Sequence, residues 1–125
     1  MGETVTDFDL LLSMKGDYAR IRVVGHPAID QVLSMIHLLG VESSSWPHDI
    51  VLVDLRRVQT HFTPQEQFRI GEEAALSLAH LRKVASLVPR ERITRISEKA
   101  ARRNGVNVRV FSDEGAALQW LRAPS

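Results

Sequence analysis

The sequence predicts an α/β fold of order ββαβαβαβα, with a mixed, mostly parallel sheet covered by helices. Three observations predict it. Two unbroken apolar runs, IVLVDL at 50–55 and VASLV at 84–88, have the pattern of strands covered on both faces. Between and after them, apolar residues recur at three- and four-residue spacing, the mark of amphipathic helices. Near the N-terminus, two short apolar segments flank Lys15-Gly16-Asp17, a turn signal that reads as a hairpin.

Each element has its own signal. FDLLLSM, 8–14, is the first strand, and YARIRVV, 18–24, is the second, setting Tyr18, Ile21 and Val23 among Arg20 and Arg22. Gly25-His26-Pro27 ends it. Ile29, Val32, Leu33, Ile36 and Leu39 give a helix over 28–39, with Gly40 at the position that commonly follows a helix. A polar loop, 41–49, leads to the strand 50–55. Thr63, Pro64 and Glu66 are spaced as N-cap, first turn and N3 of a capping box. Phe68, Gly71, Ala75, Leu78 and Leu81 are expected to form that helix's inner face. Pro89 stops the strand 84–88, and a helix is expected over 91–103, with Ile93, Ile96 and Ala100 inward and Asn104-Gly105 closing it. VNVRVF, 106–111, is the last strand. Ser112 is expected to cap a final helix whose start carries Asp113 and Glu114 and whose inner face is Ala117, Leu118 and Leu121.

Length and composition bound the function. A chain of 125 residues, 44% apolar and 25% charged, is expected to be one domain over 1–125 with a core of about 8–122. With no cysteine there is no disulfide, thiolate nucleophile or Cys-based metal site. Consecutive histidines (His26, His37, His48, His61, His80) lie at least eleven residues apart, too far for the i, i+4 pair of a helical metal site. No metal or other cofactor is expected. The first residues, MGETVTDFD, are acidic where a signal peptide is basic, although Gly2 and Thr6 fit the N-myristoylation pattern. No apolar run approaches the roughly 20 residues that span a bilayer, so the expected location is the cytoplasm.

The element order, with VLVDLRRV at 51–58, resembles the STAS domains of bacterial anti-anti-sigma factors. Val53-Asp54-Leu55 and Val58 match their strand, and VNVRVFSDEGAALQWL at 106–121 resembles the close of stand-alone STAS-like and CRAL-TRIO-like bacterial proteins. The resemblance covers about 8–122 and implies a STAS-like (SpoIIAA-like) fold and a regulatory role. It also implies that Asp54 anchors the loop after its strand by accepting backbone hydrogen bonds. In the regulators that loop ends in Asp-Ser-Ser-Gly, whose serine is phosphorylated. Here the stretch is His61-Phe62-Thr63-Pro64-Gln65, which leaves Thr63 as the sole hydroxyl for a phospho-switch. A capping threonine explains the same residue without any switch.

Charge supplies the other candidates. Residues 81–109 hold nine lysines and arginines against Glu91 and Glu98, a net of +7, so the rest of the chain carries −6 toward the total of +1. On a helix over 91–103, Arg92, Arg95, Lys99 and Arg102 would share one side, with Arg90 just before it. That is either a solvated face or a dock for an acidic partner or an anionic ligand. Arg90 and Arg92 also follow a strand's carboxyl end, where parallel sheets bind ligands. The few aromatics and nearly balanced charge speak against nucleic acid. Trp46, Phe62, Phe68 and Trp120 are candidates to line an apolar pocket, though a chamber of several hundred Å³ is unexpected in so small a domain unless two subunits share it. For acid–base chemistry, only Asp54 with His61 offers a pair.

These observations lead to a non-enzymatic regulatory module acting through protein contacts. The alternative is a carrier or sensor of a small anionic or apolar, lipid-like ligand, and a small hydrolase using Asp54 and His61 ranks last. A homodimer through a sheet edge or the second helix is a further expectation.

Overall fold

The structure, a computed structural model, describes residues 8–124. The Gly2/Thr6 pattern lies outside the described residues. Strands β1 (Phe8–Met14), β2 (Ala19–Gly25), β3 (Ile50–Val58), β4 (Lys83–Leu87) and β5 (Val108–Phe111) form one sheet in the order β1-β2-β3-β4-β5. The first pair is antiparallel, and every later pair is parallel. Helices α1 (Ile29–Ser43), α2 (Pro64–Ser77), α3 (Ile96–Arg103) and α4 (Glu114–Arg122) complete the predicted order.

The period-two alternation of the strands divides the core. Val51, Val53, Val84 and Val108 face α1, α2 and α3, together with Ala19, Ile21 and Val23 of β2. Ile50, Leu52, Ala85 and Leu87 face the other way and pack on Ala117 and Leu121 of α4. That double coverage is why the two central runs are apolar apart from Asp54 and Ser86. Lys83 is the exception that proves useful: it is buried on the α4 side, where Nζ donates to the carbonyls of Trp120 (2.7 Å) and Ala123 (2.8 Å). A cation there neutralises the negative end of α4.

Several boundaries differ from the sequence reading. Helix α1 runs through Gly40 to Ser43 rather than stopping before it. Gly40 is needed for closeness, since a Cβ there would lie 2.3 Å from the Ser77 carbonyl oxygen of α2. The α1 terminus is secured by serines instead: the hydroxyls of Ser43, Ser44 and Ser45 donate to carbonyls three residues back, at 3.2, 2.7 and 2.9 Å. Strand β3 extends to Val58. The α4 cap is Asp113, not Ser112, with its carboxylate accepting from Ala116 N–H at 2.8 Å. Phe68 is exposed, and Ala74 takes the buried place on α2 beside Gly71. The largest change is at α3, which starts at Ile96; residues Arg90–Arg92 make a separate 3₁₀ turn.

Candidate functional site

Helix α2 spans between α1 and α3, and its contacts with them are made by the smallest residues. Gly40 of α1 meets Ser77, and at Gly71 a Cβ would lie 2.4 Å from the Ser97 carbonyl oxygen and 2.7 Å from Ala100 Cβ. The α2 face turned inward is likewise short, with Ala74 beneath Gly71. Ile70 and Leu78 reach inward at either side of this short stretch, but Gly71 and Ala74 between them do not fill the space above the sheet. A cavity of about 380 Å³ results. Its floor is Val23, Val53, Val84, Val108 and Val110, and its far wall is Met35 and Ile36 of α1. This overturns the expectation that one small subunit has no room for such a chamber.

The mouth of the cavity is defined by lining residues that are also exposed: His61, Glu91, Thr94 and Arg95. They sit past the carboxyl ends of β3 and β4, where open parallel sheets collect ligands. Arg92 is half-buried there and donates from Nη1 to the Val58 carbonyl. That bond uses one of the guanidinium's five N–H groups. Across the mouth, the Thr94 hydroxyl bonds Gln67 Oε1, while Gln67 Nε2 donates to the Phe62 carbonyl at 2.9 Å. Arg95 is the one described non-glycine residue with positive φ, 64°. Its left-handed backbone, which costs about 1 kcal/mol or more, turns the chain from the 3₁₀ segment into α3. Its side chain locks the turn by gripping both oxygens of Glu98, at 3.1 and 3.0 Å.

The basic residues singled out in the sequence therefore do not form one stripe, because α3 begins after Arg92 and is capped by Arg95. Arg92 lines the cavity, and Arg95 pairs with Glu98. Arg102 donates to Asn107 Oδ1 and the Val108 carbonyl, both at 3.3 Å. Arg90 and Lys99 are exposed. Of the four aromatics, only Phe62 lines the cavity; Trp46 packs at its own edge of the core, Trp120 lies against Phe111 on the α4 side, and Phe68 faces outward. Thr63 caps α2 as read: its hydroxyl oxygen accepts from Glu66 N–H at 3.1 Å, and Glu66 Oε1 accepts from Thr63 N–H at 2.9 Å.

Asp54 and His61 are brought to opposite faces. His61 is at the cavity mouth, whereas Asp54 lies on the α4 side, 4% exposed, in a network with Arg20, Arg56 and Glu114. Asp54 accepts from Arg20 Nη2 (2.9 Å), from Arg56 Nε and Nη2 (3.0 and 2.9 Å) and from Arg56 N–H (3.1 Å). The implied backbone anchoring is thus a single N–H, and arginine side chains do most of the holding. Burial pushes the Asp54 carboxyl up, but the side-chain and backbone hydrogen bonds of Arg56, with the charges of Arg56 and Arg20, outweigh it and hold the pKa below the usual aspartate value. The network ties β2 and β3 to the start of α4 and offers no acid–base pair. Among the described residues no group of histidines and carboxylates is placed to hold a metal ion, and no helix is long and apolar enough to cross a membrane.

Two solved structures share this fold. One is an anti-sigma factor antagonist from Mycobacterium paratuberculosis, 12% identical, with a TM-score of 0.65 over 93% of this chain and 95% of the other. The chain has a STAS-like fold. The second is an uncharacterised protein with a SpoIIAA-like fold from Shewanella loihica, 17% identical, with a TM-score of 0.58 over 97% and 98% of the two chains. No family model matches the sequence, and no curated protein matches it. Of the cavity lining, the sequence reading named Phe62 and, as candidates of other kinds, His61, Arg92 and Arg95; it missed the valine floor, because inward valines look the same whether a core is full or hollow. The one available signal was the run of small residues on the inner face of α2.

Proposed function

We propose that this STAS-like chain is a non-enzymatic module that holds an apolar small molecule with a polar head, and that the bound state sets its regulatory contacts. The observation that carries this reading is the 380 Å³ apolar cavity with a polar mouth. Ligand sites typically occupy about 300–1,000 Å³, and an apolar void of about 150 Å³ already takes up benzene. An apolar chain that fills this open-mouthed space removes its mostly apolar lining from water, which favours binding. The Arg92 guanidinium beside Thr94 and Gln67 suits an acidic head such as a carboxylate.

The test is a titration of delipidated protein with saturated fatty acids of rising chain length, read by melting temperature and native mass spectrometry. The melting temperature should climb with chain length and then level off once the cavity is full, as expected for a ligand that binds only the folded state. Arg92→Gln should remove the preference for an acid over the alcohol of equal length. No shift at any length, together with no adduct on the protein as isolated from its host, would sink the reading.

A second reading has its own support. The outward side of α2 carries exposed Phe68 and, near the far end of the helix from the Thr63 cap, Leu76, which is 82% exposed. Bare apolar side chains on an outward helix face suit a protein partner, as does the likeness to an anti-sigma factor antagonist. A pull-down whose single partner disappears with Leu76→Glu tests this, and phosphate on Thr63 in protein from the host tests the switch.

A further inference from the structure

The two edges of the sheet are finished differently. At β5, side chains of α3 occupy the outward backbone groups: Glu98 Oε2 accepts from Val110 N–H at 2.7 Å, and Arg102 Nη1 donates to the Val108 carbonyl at 3.3 Å. At β1, six of seven residues are exposed, and Leu10, Leu11, Leu12 and Met14 show 37, 55, 45 and 42% of their surface. Natural sheets guard such edges with lysine, proline, bulges or covering elements. FDLLLSM has none of these within it, and its only charge is Asp9.

We infer that β1 is the seat of a symmetric dimer, in which a second copy of this chain adds its own β1 antiparallel with Leu12 opposite Leu12. The register follows from two observations. First, the hairpin bond from Lys15 N–H to Tyr18 C=O places the odd residues of β1 in the hydrogen-bonded positions toward β2. The N–H and C=O groups of Leu10, Leu12 and Met14 therefore point outward, since the two directions alternate along an antiparallel strand. A two-fold pairing must join even residues to even residues. Second, of the registers this allows, the one centred on Leu12 sets Asp9 of each copy opposite Lys15 of the other. Both residues are exposed, and opposite charges in directly facing positions are mutually stabilising. Centring on Leu11 would place Asp9 against Ser13 instead. In the Leu12 register Leu10 faces Met14 twice, so three apolar pairs line one face. They continue the row of Ala19, Ile21 and Val23, to which Met14, Leu12 and Leu10 are already paired. Two five-stranded sheets become one continuous sheet.

The test is sedimentation equilibrium on the wild-type protein, Asp9→Lys, Lys15→Asp and the double variant that carries both. The wild type should dimerise. Each single change faces like charges twice across the two-fold axis and should weaken the dimer roughly tenfold, and the double variant should regain it. Circular dichroism melts at concentrations where all four are monomeric should be alike, because both positions are exposed. Leu12→Arg should leave a monomer. A wild type that stays monomeric at every concentration reached, whether or not β1 then pairs with a strand of another protein, overturns the proposal. So does a dimer that the single charge changes leave untouched, or one that the double variant fails to restore.

Discussion

The two faces of the sheet solve the same packing problem in opposite ways. On one face a single helix, α4, is pinned by charge: Arg20 and Arg56 join Asp54 to Glu114 at its start, and Lys83 holds its end. On the other face three helices pack on one another through Gly40, Gly71 and Ala100, and the space under the middle one stays open. Ionic pinning specifies position without filling volume, and here it is used where the apolar fit is already complete. Close contact through small residues fixes the helices relative to one another and leaves room beneath them. The lesson is that the side of this sheet that holds the cavity is the one whose helices pack closely on each other.

Substitutions on the two faces should separate these modes. The largest effect is expected on the pinned face. Asp54→Ala leaves the largely buried Arg20 with Glu114 as its remaining partner and removes three bonds to Arg56, and should cost about 3 kcal/mol in urea unfolding. Because the folded pKa of Asp54 lies below the aspartate reference of 3.8, its contribution is complete above that pH and disappears as the pH falls through the folded value. The stability gap between wild type and Asp54→Asn should therefore narrow on acidification from pH 5 to pH 2, and a gap that stays constant would contradict the network.

On the open face, Gly71→Ala drives a methyl group against the Ser97 backbone and should cost about 2 kcal/mol. Since the clash lifts α2 from α3, it should also loosen fatty-acid binding. Smaller still is Ala74→Leu, which reaches into the cavity. It should change stability by less than about 1.5 kcal/mol, toward a gain, while blocking ligand uptake. A large loss of stability there would mean that the space is already filled. Glu66→Ala removes half of the α2 capping box and should cost about 0.5–1 kcal/mol by thermal melting, with no effect on the α4 face.

The fold was largely legible because its signals are local and agree with one another. IVLVDL and VASLV announced central strands, and Thr63-Pro64-x-Glu66 announced the start of α2. Errors fell where a distant partner decides. Gly40 looked like a terminator, yet Ser77 of another helix requires it inside α1. Arg95 offered no sign that it would adopt a left-handed backbone, because that geometry is held in part by Glu98, itself bonded to Val110 of β5. With α3 thus begun late, a stripe of four cations dissolved into residues with separate roles. The site was less legible than the fold. Its walls are the residues of an ordinary core, and emptiness is a property of how three helices meet rather than of any residue.

The order of the strands has one further consequence. Because each of the five lies beside its predecessor in the chain, no strand has to be threaded between two that are already paired. During synthesis every new strand finds its template already made, and the sheet can lengthen by accretion from the hairpin outward. The last strand to arrive is also the one that α3, made just before it, stands ready to seal.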